Sequence, residues 1–122
     1  MSEGITTRPL VVLESPYSSL ERKKLVENHN YAKAILNDSI ARGESPFLSH
    51  LFYTQFLNDR LADQRALGME AGWAVMAKAD FVAVYLDLGW SDGMVEGVLR
   101  AEKLGLKWEK RKIGWPLEQK NG

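Results

Sequence analysis

The chain has 122 residues, 45% apolar and 26% charged, with sixteen basic side chains balancing sixteen acidic ones. That length suits one domain with a real core, and the neutral balance removes the broad positive footprint of a nucleic-acid binder, so nucleic acid is not an expected partner. With no cysteine there is no disulfide, thiolate metal site or cysteine nucleophile.

The first nine residues lack the apolar stretch of a secretion signal, and no apolar run approaches the ~20 residues of a membrane span. A soluble, cytoplasmic protein away from membranes is expected, as one domain over 1–122 with a core at about 9–113 and loose ends. "PLVVLE" (9–14) is β-branched and apolar, as a buried strand requires. Pro16 then breaks extended pairing, and Ser18 with Glu21 matches a capping box. Leu25, Ala32, Ile35 and Leu36 recur at helical spacing, which predicts a helix from about Leu20 to Ala41, stopped by Gly43.

"SPFLSHLFY" (45–53) reads as a second strand running into a loop, and "YTQFLNDRLADQ" (53–64) has weak signals for a loop or short helical turn. Ala66, Met69, Gly72, Trp73 and Met76 give the next segment (63–79) an apolar helical face, with Trp73 in the core. "DFVAVYLD" (80–87) is a continuous apolar run, as in strands covered on both faces. Ser91 is placed to cap a helix ending near Leu104, with Gly105 as its terminating glycine. "LKWEKRKI" (106–113) is the last strand; Lys107, Lys110, Arg111 and Lys112 alternate with Trp108 and Glu109 as on a strand with one solvated face. The tail from Gly114 is read as loose, or docked on a neighbouring subunit.

Strands alternating with helices predict an α/β three-layer sandwich of the flavodoxin or Rossmann kind, around a four- or five-stranded parallel sheet. Ligands of such folds bind beyond the carboxyl ends of the strands, where strand order reverses. The loops expected at that edge carry Glu14, Ser15 and Tyr17, then Ser49, His50, Tyr53 and Gln55, then Asp87, Ser91 and Asp92.

Each of these has a plainer role beside the functional one. Ser91 is a helix cap, and Asp92 is an acid in a first turn, where the helix dipole favours it. Asp87 fits a structural turn as well as a ribose hydroxyl, and Gln55 fits a turn cap as well as a base edge. His50 is a hydrogen-bonded structural group or a ligand contact. Tyr17 and Tyr53 pack, or stack on a base. Gly93 lets a ligand approach the backbone. Trp90 sits in an exposed loop, as a lid or a dimer contact. No metal site is expected, because His29 lies mid-helix away from His50.

"ESPYSS", "PFLSHLFYTQFLND", "ADFVAVYLDLGWSDGM" and "AEKLGL", in that order from about Pro9 to Ile113, resemble the nucleoside 2-deoxyribosyltransferase-like superfamily. The likeness is to its compact, often phage-encoded branch. It implies a flavodoxin-like sheet, a nucleoside or nucleotide pocket that includes Ser15, Pro16, Tyr17 and Met94, no cofactor, and a homodimer or larger homo-oligomer. In the characterised enzymes a glutamate near the start of the third helix attacks the anomeric carbon, and a base or water resolves the glycosyl ester. That glutamate usually lies four residues after the motif glycine. Counted from Gly93 the position is Gly97, and the nearest carboxylate is Glu96, about 100° away around a helix. Glu14 stands where relatives usually carry a small residue.

Glu96, Glu14 and Asp92 are therefore the candidate catalytic groups for an N-ribosyl hydrolase or transferase acting on a deoxynucleotide or ADP-ribose-type substrate. The alternative is a protein that binds and sequesters a nucleotide signal, for instance of the cyclic ADP-ribose type, without turnover. The oligomer contacts expected are the face around Gly72 and Trp73, and Trp115.

Overall fold

A computed structural model describes residues 7–117. Five-residue strand β1 (Leu10–Glu14) leads into the long helix α1 (Arg22–Ala41), then strand β2 (Ser45–Phe47), short helix α2 (Ser49–Phe52) and a 3₁₀ turn at Tyr53–Gln55. Helix α3 (Ala62–Met76), strand β3 (Phe81–Tyr85), helix α4 (Asp92–Lys103) and strand β4 (Lys107–Arg111) complete the order. The four strands are all parallel, in the spatial order β2-β1-β3-β4.

Because side chains alternate along a strand, each strand feeds two cores. Val11, Leu13, Ala83 and Tyr85 pack with Tyr31, Ala32 and Ile35 of α1 on one face. Val12, Val82 and Val84 pack with Met76 of α3 and Met94, Val98 and Ala101 of α4 on the other. Right-handed crossovers require this split: the chain moves outward from β1 in one direction and from β3 in the other, so α1 falls opposite α3 and α4. The order is that of the flavodoxin-like sheets, and the direction in which successive strands are added to the parallel sheet reverses between β1 and β3. A fifth strand is not present among the described residues.

Several local expectations need correction. The capping box at Ser18 does not form: α1 starts later, capped by Glu21 without a side-chain bond, and Ser19 Oγ instead accepts from the Glu21 amide at 3.1 Å. The apolar segment 45–53 is strand only to Phe47 and then turns helical. Short apolar runs satisfy either period, and length alone cannot arbitrate there. Ala66 is exposed, so the inner face of α3 begins at Met69. Ser91 does cap α4, its Oγ accepting from the Met94 amide at 3.3 Å.

Arg111 departs most from its expected solvated position. Its side chain is 4% exposed, facing the α1 side of the sheet, where it forms a two-pronged pair with Glu44 at 2.6 and 2.8 Å. Ser39 Oγ donates to the same carboxylate at 2.7 Å, and the Tyr85 hydroxyl accepts from Arg111 at 3.0 Å while donating to Asp38 at 2.8 Å. The guanidinium holds Glu44 below the usual carboxylate range, and Arg111 itself is pushed upward by that pairing.

The tail from Gly114 that the description covers is not loose. Asp87 accepts hydrogen bonds from the amides of Ile113, Gly114 and Trp115 at 2.8 to 3.1 Å and from the Tyr31 hydroxyl at 2.6 Å. Trp115 packs edge-on against Tyr31, 5.5 Å between ring centres. Trp115, a candidate contact for a neighbouring subunit, also makes this contact within its own chain and is partly buried by it. The remainder of the expected loose ends, 1–6 and 118–122, lies outside the described residues.

Candidate functional site

A cleft of about 530 Å³ opens on the α3/α4 face at the carboxyl end of β1. The position follows from the topology. Val12 and Glu14 share the strand face that looks between α3 and α4, and the strand-order reversal leaves no crossover above them. Glu14, Ser15, Tyr17, His50, Tyr53, Ser91, Asp92, Gly93, Met94 and Glu96 all line this cleft. The three loops expected to converge therefore do meet. Pro16, Gln55 and Asp87 are not among the lining residues.

The exclusion of Asp87 has a clear cause. It sits on the other side of β3, and its two oxygens are filled by Tyr31 and the 113–115 amides. Burial alone would raise its pKa, but these donors outweigh burial and hold it below the ordinary aspartate range. It is a latch for the segment after β4. Gln55 points its amide back along the chain, donating to the Leu51 carbonyl at 3.1 Å.

Glu14 lies at the base of the cleft. No described residue donates a hydrogen bond to its carboxyl group, and burial pushes its pKa up to about 8. Its carboxyl rests against Gly97. A Cβ built on Gly97 would meet the Glu14 carboxyl carbon and one oxygen at 2.5 Å and the other oxygen at 2.6 Å. The first strand thus delivers a carboxyl group into the space that a side chain from α4 would otherwise take. Glu96 and Asp92 are exposed at the rim on the same helix, and Met94 is buried beneath it.

The loop after β1 is fixed from two sides. Asn28 of α1 donates to the Tyr17 carbonyl at 3.0 Å, and the Tyr17 hydroxyl donates to Thr54 at 3.1 Å. Thr54 in turn donates to the His50 carbonyl at 2.6 Å, and the Tyr17 and His50 rings lie 4.5 Å apart.

His50 Nε2 is 3.1 Å from the Ser15 carbonyl and 3.4 Å from the Ser15 hydroxyl. A carbonyl only accepts, so Nε2 carries the hydrogen and Nδ1 is a bare acceptor. That Nδ1 is buried with no partner among the described residues. Burial pushes the His50 pKa down to about 4, against a smaller opposing effect of the Ser15 bond, so the ring is neutral at physiological pH.

Gly72 makes the α2–α3 wall possible. A Cβ there would come within 2.9 Å of Ser49 Cβ. Trp73, expected in the core, is only partly buried; it lines the cleft, and Arg100 of α4 stacks 4.1 Å over its ring. Part of the Gly72–Trp73 face is therefore covered within the chain, by Ser49 and Arg100. Sequence reasoning missed Gln64, Arg65, Leu57 and Gly68, which also line the cleft. They fall in the turn and in the first half of α3, where no motif marked them. Their one signal was polarity on the helix that follows the second ligand-edge loop.

Among the described residues no group of three or more histidine, aspartate or glutamate side chains is placed to hold a metal ion. No helix among them is long and apolar enough to cross a membrane.

No curated protein matches the chain. A family match spans residues 9–111, from the first strand through the last and across every element that builds the cleft. The chain belongs to the family described as a domain of unknown function (DUF7768).

Proposed function

We propose that the cleft binds a nucleoside or nucleotide and that the protein hydrolyses or transfers its N-glycosidic bond, with the Glu14 carboxylate attacking the anomeric carbon. The observation that carries this reading is the seat of Glu14 against Gly97. The resemblance to the deoxyribosyltransferase-like enzymes puts the attacking glutamate at position 97, and here a carboxyl group from β1 occupies the space of the missing side chain. The reaction needs a carboxylate that offsets positive charge at the sugar and then becomes its temporary partner. Asp92 and Glu96 at the rim are the groups available to activate the water or base that releases the sugar.

The test is release of free base from a panel of nucleosides and nucleotides, read by mass spectrometry. Glu14→Gln should lower turnover on the order of 1,000-fold with folding intact, whereas Glu96→Ala should leave a measurable rate. A wild-type chain that releases no base from any member of the panel overturns the catalytic reading.

One observation favours the non-catalytic alternative: burial keeps Glu14 protonated at neutral pH until something pairs with it. A sequestering protein would return its ligand intact after denaturation, which the same panel detects. Either activity suits a cytoplasmic protein. A homo-oligomer would use the apolar strip of Trp90, Val95 and Leu99, each exposed on or beside α4. Sedimentation of Leu99→Glu against wild type reads this directly, and a wild-type monomer at micromolar concentration removes it.

A further inference from the structure

Resting on the glycosidic reading above, we infer that the substrate is an unphosphorylated nucleoside with a cationic base, joined to the sugar through a quaternary ring nitrogen as in N-ribosylpyridinium compounds.

The charges around Glu14 point this way. Besides Glu14, the cleft is lined by the carboxylates of Asp59, Asp92 and Glu96, against the guanidinium of Arg65, with that of Arg100 stacked on the lining Trp73. His50, facing the cleft from α2, is neutral. A cavity walled by one sign of charge concentrates ligands of the other sign and repels phosphate. Tyr53 adds an aromatic ring to the wall, and such rings attract planar cations.

The Glu14 carboxyl gives the second, independent argument. It is partly buried in the cleft wall, touches Gly97 and has no donor among the described residues. An unpaired carboxylate in such a place is costly, and a ligand bearing positive charge removes that cost. Binding would therefore create the nucleophile, with one proton leaving Glu14 for solvent.

Leaving-group chemistry gives the third. A neutral base needs a proton as its bond to the sugar breaks, and two of the polar groups lining the cleft already spend their hydrogens within the chain. His50 Nε2–H goes to the Ser15 carbonyl and the Tyr17 hydroxyl to Thr54. A quaternary nitrogen needs none. The Glu14 oxygen bonds to the anomeric carbon, the carbon–nitrogen bond breaks, and its electron pair neutralises the ring nitrogen. Water then bonds to the anomeric carbon, the ester bond to Glu14 breaks, and the proton from water passes to solvent. The sum is pyridinium nucleoside plus water giving free sugar, neutral pyridine and one proton.

The experiment compares nicotinamide riboside with thymidine, 2′-deoxyadenosine and inosine, and with nicotinamide mononucleotide for the effect of phosphate. Base release from the pyridinium nucleoside should exceed that from the neutral ones on the order of 100-fold in kcat/KM, and the 5′-phosphate should reduce it on the order of 10-fold. Calorimetry at pH 7 in buffers of different ionisation enthalpy should show proton release on binding nicotinamide riboside, lost in Glu14→Gln. Glu14-dependent cleavage of neutral nucleosides at equal or greater rates, or binding of the pyridinium nucleoside without proton release, overturns this inference and leaves the glycosidic reading standing. No base release from any compound overturns both.

Discussion

A Cβ at position 97 would come within 2.5 Å of the Glu14 carboxyl, so Gly97→Ala must turn that carboxyl aside. The displaced group is the end of a flexible side chain, and alanine gains up to about 1 kcal/mol over glycine inside a helix. Stability should therefore hardly fall. Catalysis depends on position to within about 1 Å, and base release should drop on the order of 100-fold. Thermal melting and turnover measured on the same preparation check that the two effects separate; a wild-type rate in Gly97→Ala would remove the fitted carboxyl from the mechanism. The sequence displayed both residues and the vacancy at 97. It could not display that they touch, because the contact joins a strand end to a helix interior remote in the chain.

Elements were legible where one period dominates. The continuous run at 80–87, the Ser91 cap and the parallel sheet follow from local pattern. The segment after β2 did not, because the four residues of α2, Ser49–Phe52, are too few to distinguish a strand from a helical turn. For Asp87 local pattern left a structural and a ligand role open, and for Arg111 it suggested a solvated one, because their partners lie far off in sequence. Both now carry predictions about their elements. Asp87→Ala leaves the 113–115 amides without an acceptor and should cost about 1–3 kcal/mol in urea denaturation. Amide exchange should accelerate at Ile113 and Trp115, while the cleft, on the opposite face of the sheet, keeps its ligand affinity. Arg111→Met strands Glu44 as an unpaired buried charge and should cost about 3–5 kcal/mol, part of which the double variant Arg111→Met/Glu44→Met recovers.

For the molecule as a whole, the cleft leaves a signature in stability against pH. Glu14 is pushed up from 4.5 to about 8 on folding, so the native state holds a proton that the unfolded chain has lost. Stability falls with rising pH across that interval, by about 1.4 kcal/mol per unit. His50 is pushed down from 6.5 to about 4 and has the opposite slope between those values, since there the unfolded chain binds the extra proton. The two slopes offset each other between pH 4.5 and 6.5, and from 6.5 to 8 Glu14 alone makes stability decline. Urea midpoints of Glu14→Gln should instead rise from pH 4 to 6.5 and then level off. A wild-type profile that is flat from 6.5 to 8 would show that Glu14 keeps an ordinary acidity. Below pH 4.5 the depressed carboxylates Asp87 and Glu44 add a loss as they protonate in turn.

The fit of Glu14 to the bare Cα of residue 97 also constrains how such chains diverge. A long side chain at 97 would take the place of the Glu14 carboxyl, and a small residue at 14 would leave a hole beside Gly97. Across the family the two alignment columns should trade: glycine at 97 travelling with glutamate at 14, and a long side chain at 97 with something small at 14.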